Sequence, residues 1–179
     1  MSSGAQFVFG YGSLAGSDGR RARLEGYRRV WGVAMDNRVD IAGYKSYRRL
    51  HDGNRPAVYV AFLDIVEDAG AAVEGVLLAV DDAALRTLDA RERNYDRIDV
   101  SAAVSGAACR RVWTYRGSDA GRERLRIGMQ EASAVADADY VAAVQATLDA
   151  LGIDEDVRPG DGLALMWLER IDLPPFRPG

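Results

Sequence analysis

The chain has 179 residues, of which 48% are hydrophobic and 28% charged. That length and composition are typical of one soluble globular domain, predicted over residues 1–179 with a core at about 6–170. The net charge of −4 argues against nucleic acid or an anionic membrane as the main partner, and a single cysteine with a single histidine excludes an internal disulfide and a typical Cys/His zinc site.

The start of the chain is polar at residues 1–4 and then apolar at residues 7–9, where the pattern predicts a short buried strand. It contains neither a basic region nor a long apolar stretch. No signal peptide and no membrane span are therefore predicted, and the expected location is the cytoplasm.

A glycine loop, Gly10-Tyr11-Gly12-Ser13, follows this strand directly. Two glycines beside a tyrosine let the backbone turn sharply and bring its N–H groups close to a small ligand. A strand that leads into such a loop predicts an anion or oxyanion site. The alternative interpretation is a tight turn without a ligand.

Two alternative functions of this loop have less support from the sequence. Residues 10–15 match the dinucleotide-binding pattern G-x-G-x-x-G/A, but that pattern needs a helix, which residues 16–19 (Gly-Ser-Asp-Gly) are expected to break. A Ser/His/Asp hydrolase has little support, because Ser13 does not lie in G-x-S-x-G. His51 lies in a polar segment and is expected at the surface.

Several later blocks have the apolar pattern of strands, namely residues 26–35, 57–65, 73–80, 95–104, 109–115 and 162–169. A turn predicted at residues 67–70 makes the second and third blocks a hairpin in a mostly buried sheet. Gly32 is predicted to form a bulge in the first block. Cys109, in the fifth, is interpreted as core filler.

The polar segment at residues 36–54 is predicted as a long loop with a short strand or turn around residues 44–50. A loop of that length inside a compact domain is more often functional or mobile than accidental. Lys45 lies within it and is the only lysine among 23 basic residues. This bias toward arginine is interpreted first as genome composition.

Three segments are predicted as helices, at residues 20–25, 83–93 and 140–151. Asp81 or Asp82 caps the second, and Asp139 precedes the third, which is amphipathic. The charged segment at residues 116–126 is expected to be exposed. Because strands outnumber helices and do not alternate with them regularly, the predicted fold class is α+β.

Glu92 is the main candidate for chemistry. Leu85, Leu88 and Glu92 share the face that the second helix must bury, so a carboxylate stands on the apolar stripe. Burial, the negative helix end and the nearby Asp89 are expected to raise the pKa of Glu92, as a general acid/base near neutral pH requires. The alternative is a residue at the rim that extends into solvent beside an arginine.

Together these residues resemble the γ-glutamylcyclotransferase-like superfamily, which includes the AIG2-like, butirosin-pathway and ChaC-type proteins. The resemblance covers residues 6–152 and rests on two motifs in order: Tyr11-Gly12-Ser13-Leu14, and Leu88-Asp89-Ala90-Arg91-Glu92 followed by Tyr95. Tyr140 is similar to a tyrosine that lines the family's pocket. The asparagine that many relatives carry after Ser13 is missing, and the Arg-rich loop at residues 38–55 matches no family segment.

The resemblance implies a small mixed β-barrel with flanking helices, and a cavity where the glycine loop meets Glu92. It implies an enzyme, a lyase or acyltransferase that cyclises a γ-glutamyl amide to 5-oxoproline and releases the amine. Glu92 is then the catalytic acid/base, and the implied substrate-binding residues are Tyr11, Gly12, Ser13, Leu14, Tyr95 and Tyr140. The implied partner is a small-molecule γ-glutamyl substrate, and no metal or organic cofactor is called for.

Two rival functions stay open at this point. One is a module that binds a small carboxylate in the same pocket without turnover, and the other is a related amide hydrolase or acyltransferase. The sequence does not decide the physiological substrate or the oligomeric state.

Overall fold

A computed structural model describes residues 6–15, 19–105 and 111–175 of the chain. Its elements, in chain order, are β1 (Gln6–Gly10), β2 (Arg20–Asp36), β3 (Lys45–Arg49), β4 (Tyr59–Val80), α1 (Asp82–Arg91), β5 (Tyr95–Asp99), β6 (Arg111–Gly117), α2 (Asp119–Gln130), β7 (Ala134–Asp137), α3 (Ala138–Ala150), β8 (Ala164–Met166) and β9 (Leu168–Asp172). The predictions for residues 16–18 and for Cys109 fall outside the described ranges.

One large sheet of seven strands has β4 at its centre, in the order β5-β6-β1-β4-β7-β8, with β2 also paired to β4. The pairs β1–β6, β4–β7 and β7–β8 are parallel, and the other pairs in this sheet are antiparallel. β3 and β9 form a small separate sheet. The predicted combination of helices and strands is confirmed, with three helices and one large sheet among the described residues. No pairing among the described strands closes that sheet, so the barrel stays a prediction.

β2 and β4 are longer than the sequence pattern predicted, at 17 and 22 residues. They pair antiparallel from Arg20 opposite Leu77 to Asp36 opposite Tyr59. Two predictions are therefore wrong: residues 20–25 begin β2 instead of forming a helix, and residues 67–70 continue β4 instead of turning. Their polar composition suggested a helix and a turn, but a long partner strand supplies the backbone hydrogen bonds of an extended conformation.

The bulge predicted at Gly32 is confirmed by a register shift between Trp31 and Val33. A second shift, between Glu25 and Tyr27, surrounds Gly26, whose φ of 78° lies in the left-handed region that favours glycine. The two bulges increase the twist of the long β2–β4 ribbon.

α2 corrects the prediction that the charged segment at 116–126 is merely exposed. Ser118 caps this helix, its hydroxyl oxygen accepting a hydrogen bond from the Gly121 N–H at 3.1 Å. A Cβ at Gly128 would lie 2.9 Å from Cβ of Tyr59, and one at Gly121 would lie 2.7 Å from the Asn94 carbonyl oxygen. The glycines that lower helix propensity are therefore the residues that let α2 pack closely on its neighbours.

The other helices lie close to their predicted positions. Asp81 caps α1, with its carboxylate accepting a hydrogen bond from the Ala84 N–H at 2.7 Å. Asp137, two residues before the predicted capping position, caps α3. Among the described residues, no helix is both long enough and apolar enough to cross a membrane.

Two clusters of buried side chains make up most of the core. The first packs β1, β4 and β6 against α3 through Phe9, Leu63, Ile65, Leu77, Val112, Val144 and Leu148. The second packs β2, β4 and β7 against the small sheet through Val33, Met35, Tyr47, Val60, Phe62, Val135 and Leu168. The small sheet is thus held against the large one, and residues of both line a cavity.

Candidate active site

The glycine loop leaves the end of β1, where Gly10 lies opposite Val76 of β4. The Ala15 N–H donates to the Gly12 carbonyl oxygen at 2.8 Å and closes a tight turn. A Cβ at Gly10 would lie 2.5 Å from the Leu14 carbonyl oxygen, and one at Gly75 of β4 would lie 2.3 Å from the Gly10 carbonyl oxygen. The loop can fold back this closely only because neither position carries a side chain.

The buried side chain of Arg29 binds the backbone of the glycine loop. The Arg29 side chain is 2% exposed and forms an ion pair with Glu155. Its Nε donates to the Tyr11 carbonyl oxygen at 2.9 Å, and its Nη2 donates to the Glu74 carbonyl oxygen at 2.8 Å. Arg29 therefore ties the loop to β4. The sequence prediction missed this role, because an arginine among the alternating residues of a strand has no local signature.

The backbone N–H groups of Ser13 and Leu14 are free to bind a ligand. In the part of the chain that the structure describes, neither donates a hydrogen bond to a protein acceptor. Adjacent unpaired N–H groups in a turn are suited to an anion or an oxyanion.

All seven predicted site residues line one narrow recess: Tyr11, Gly12, Ser13, Leu14, Glu92, Tyr95 and Tyr140. The recess has a volume of about 30 Å³, which suits one small group such as a carboxylate or a carbonyl oxygen. It adjoins a cavity of about 460 Å³, which shares Ser13, Glu92, Tyr95 and Tyr140 with it. The structure thus brings the predicted residues together, and their individual roles stay predictions.

Glu92 is the C-cap residue of α1, and its N–H donates to the Leu88 carbonyl oxygen at 2.8 Å. Its side chain is 13% exposed and pairs with Nε of Arg91 at 3.1 Å. Burial raises the pKa of Glu92 above its usual value, and the positive charges of Arg91, Lys45 and Arg170 oppose that rise. The predicted direction is confirmed, with burial as its main cause.

Asp89 plays a different part from the one predicted. Its carboxylate accepts hydrogen bonds from the Tyr115 hydroxyl at 2.8 Å and from Arg97 Nη1 at 2.9 Å. It is not among the charges that shift the pKa of Glu92. Asp89 holds β5 and β6 next to α1 and leaves the recess to a single carboxylate.

Three tyrosines shape the recess, of which Tyr11 is buried and Tyr95 and Tyr140 are partly buried. The Tyr11 hydroxyl donates to the Tyr115 carbonyl oxygen at 2.6 Å, and the Tyr95 hydroxyl donates to the Leu63 carbonyl oxygen at 2.7 Å. The Tyr140 ring makes edge-to-face contacts with Trp31 and Phe62. Burial raises the pKa of all three tyrosines, so they stay neutral phenols and do not supply a base.

Lys45 of β3 lines the larger cavity, together with Arg91 of α1 and Arg170 of β9. It was not among the predicted site residues. The one available signal was its uniqueness, since it is the only lysine among 23 basic residues. Its interpretation as genome composition does not point to the site.

His51 does not line the site. His51 is exposed, as predicted, and lies next to Asp52. Among the described residues, no group of three or more His, Cys, Asp or Glu side chains could hold a metal ion.

A comparison with protein families supports the resemblance that rests on the motifs at residues 11–14 and 88–92. A family model described as "Gamma-glutamyl cyclotransferase, AIG2-like" matches residues 8–142. No curated protein matches the chain.

Three solved structures resemble the chain at low identity. A solution structure of a protein from Arabidopsis thaliana is 17% identical, with a TM-score of 0.40, and the match covers 89% of this chain and 98% of that one. A crystal structure of an uncharacterized protein from Homo sapiens is 14% identical over 89% and 94% of the two chains, with a TM-score of 0.41. A structure of a gamma-glutamyl cyclotransferase is 14% identical over 88% and 94%, with a TM-score of 0.37.

Proposed function

Because the chain belongs to the gamma-glutamyl cyclotransferase, AIG2-like family, we propose that it is an enzyme that cyclises a γ-glutamyl amide to 5-oxoproline and releases the amine. One observation carries the proposal. Glu92, whose pKa is raised, lines the same narrow recess as the loop that bears the free N–H groups of Ser13 and Leu14. An acid/base and an oxyanion site within reach of one carbonyl group are what this reaction needs.

The proposed reaction begins when the Glu92 carboxylate takes a proton from the substrate α-ammonium group. The free amine attacks its own γ-carbonyl carbon, so that a C–N bond forms and the carbonyl oxygen becomes an oxyanion. The N–H groups of Ser13 and Leu14 stabilise that charge. The bond to the leaving amine then breaks as Glu92 returns the proton to its nitrogen. Glu92 next takes the second proton from the ring nitrogen, which becomes the lactam N–H, and passes it to the released amine, which departs as an ammonium ion. The products together contain every atom of the substrate, and no water is consumed.

Most of the catalytic work in this scheme is positioning. The nucleophile and the electrophile belong to one molecule, and holding them in an attack geometry can lower the barrier by up to about 7–11 kcal/mol. Tyr11, Tyr95 and Tyr140 enclose the recess with neutral, largely apolar rings. This enclosure favours attack by the substrate's own amine over attack by water.

Mass spectrometry tests the reaction directly. We expect the wild-type protein to convert at least one member of a panel of γ-glutamyl amides to 5-oxoproline and free amine in equal amounts. Release of glutamate would instead identify an amide hydrolase. Binding without any product would identify a carboxylate-binding module.

Glu92→Gln tests the role of the carboxylate. We expect it to lower the rate of 5-oxoproline release by a factor of at least about 100, because the amide can neither take nor return the proton. Glu131→Gln is the matched control, since Glu131 is also a glutamate at a helix C-cap, that of α2, and is exposed. Equal rates for wild type and Glu92→Gln would exclude the mechanism.

The predicted single domain and cytoplasmic location are part of this proposal, because a γ-glutamyl substrate is a small soluble metabolite. The oligomeric state does not enter it.

A further inference from the structure

Lys45 lies in an aromatic corner of the larger cavity. Its Nζ is 4.0 Å from the ring centroid of Phe62, 5.5 Å from that of Tyr44 and 5.8 Å from that of Tyr47. These contacts orient the ammonium group, and a cation over several ring faces gains a modest attraction.

No carboxylate of the described residues lies within ion-pair distance of this ammonium group. The other two cations of the cavity are each paired, Arg91 with Glu92 at 3.1 Å and Arg170 with Asp172 at 2.8 Å. Taking a charge out of water without a partner is costly. Lys45 is thus a positive charge without an ion-pair partner among the described residues, at the wall of a cavity, and Glu92 and Asp172 offset the cost of its burial only in part.

The recess and the larger cavity together limit how a γ-glutamyl amide can bind. The reacting amide must lie at their boundary, where Glu92 is. Ser13 and Leu14, whose N–H groups have no acceptor among the described residues, line the recess, and its small volume leaves room for one polar group of the γ-glutamyl half. The rest of the substrate, including the leaving amine, therefore lies in the cavity of about 460 Å³, and Lys45 lines that cavity without lining the recess.

We propose that Lys45 is a specificity-determining residue that binds a carboxylate on the leaving amine, so that the preferred substrates are γ-glutamyl amino acids over γ-glutamyl amines without an acidic group. This inference rests on the proposed function for the orientation of the substrate. Burial lowers the pKa of Lys45 to about 8, which leaves the ammonium form predominant at neutral pH, and a bound carboxylate stabilises that form further.

A pair of matched compounds tests the proposal. γ-Glutamyl-alanine and γ-glutamyl-ethylamine share one skeleton and differ only in the carboxylate of the leaving amine. Their affinities are measured by calorimetry on the Glu92→Gln protein, in which turnover is blocked. We expect γ-glutamyl-alanine to bind about 10- to 100-fold more tightly, as a hydrogen bond between charged partners allows.

The Lys45→Met variant, made in the same Glu92→Gln background, is expected to bring that affinity ratio close to 1. Arg48→Met is the matched control, because Arg48 is a basic residue of the same strand that is exposed and lies outside the cavity. It should keep the ratio of the parent protein. Thermal unfolding checks that each variant is folded.

Three results would overturn the proposal: equal affinity for the two compounds, no binding of γ-glutamyl-alanine, or a ratio that Lys45→Met does not change. The readout is separate from that of the proposed function. A wild-type protein that binds γ-glutamyl-alanine through Lys45 but releases no 5-oxoproline would contradict the reaction and leave the assignment of Lys45 in place.

Discussion

Glu92 and Lys45 are both shifted toward their neutral forms by the same cause. Burial raises the pKa of Glu92 and lowers that of Lys45, and each charge partly offsets the shift of the other. Two groups of opposite sign that titrate closer to neutrality than usual are typical of a functional site. In the proposed reaction, Glu92 moves a proton and Lys45 holds a fixed charge.

The raised pKa of Glu92 predicts a pH-dependent stability. When the pKa of a carboxyl group is higher in the folded state than in the unfolded state, ionisation of that group destabilises the fold. The destabilisation is fully present above the pKa of the folded state and disappears below the pKa of the unfolded state. Glu92→Gln removes this destabilisation. We expect its unfolding temperature at pH 7.5 to equal or exceed that of wild type, by on the order of a few degrees.

The same comparison at pH 5 should show a smaller difference, because wild-type Glu92 is then more protonated in the folded state. Thermal unfolding of both proteins across this range provides the measurement, with Glu131→Gln as the control. A clear loss of stability in Glu92→Gln at pH 7.5 would mean that its carboxylate stabilises the fold, contrary to the direction of the pKa shift.

At the scale of elements, the glycine loop depends on two strands and not on its own residues alone. Gly75 of β4 lies against the carbonyl of Gly10, the last residue of β1. Arg29 of β2 donates a hydrogen bond to the carbonyl oxygen of Tyr11. The loop geometry is therefore set by the packing of β1, β2 and β4.

Gly75→Ala tests this dependence. Its Cβ would lie 2.3 Å from the Gly10 carbonyl oxygen and 2.8 Å from the Phe9 ring, so the strands must move apart. We expect a loss of about 1–3 kcal/mol in the free energy of unfolding, together with a loss of activity as the loop shifts. Urea denaturation and the 5-oxoproline assay measure the two effects.

Gly70→Ala is the control within the same strand. The nearest atom to its Cβ would be Oδ1 of Asp68 at 3.8 Å, which is ordinary contact distance. We expect this variant to be as stable as wild type or slightly more stable. Similar losses in both variants would show that glycine is needed along β4 for a reason other than the contact with Gly10.

At the scale of the whole molecule, Asp64 ties together parts that are far apart in the chain. This fully buried residue of β4 accepts hydrogen bonds from the Ile65 N–H at 2.7 Å and from the Gly117 N–H of β6 at 2.6 Å. It also pairs with Arg122 of α2 at 3.0 Å. The carboxylate therefore fixes α2 and β6 to the central strand.

Arg122→Met is expected to lower the free energy of unfolding by about 3 kcal/mol, because it leaves the buried Asp64 carboxylate without its counter-charge. Arg126→Met is the matched control, since Arg126 lies one turn further along α2 and its partner Glu123 is exposed. Exposed pairs contribute at most about 1 kcal/mol. Equal effects in urea denaturation would mean that the buried pair is not a main tie between α2 and the sheet.

Much of the site could be predicted from local patterns. A strand that ends at paired glycines, and a carboxylate on the apolar face of a capped helix, both follow from residue spacing. Spacing gave no information about Lys45 or Arg29, because a single basic residue in a strand has the same local pattern whether it faces solvent or a cavity. Only the packing of the small sheet against the large one places Lys45 in the same cavity as Glu92.

What the sequence by itself determined is therefore the set of short-range features: β1, the glycine loop, α1 with a cap at Asp81 or Asp82, and α3. The tertiary structure alone decided the extended conformation of residues 20–25 and 67–70, the helix α2 and the position of Lys45, which has no ion-pair partner among the described residues. The physical reason is the range of the interactions. Caps, turns and helical faces are set within a few residues, whereas strand pairing and the burial of a charge depend on partners far away in the chain.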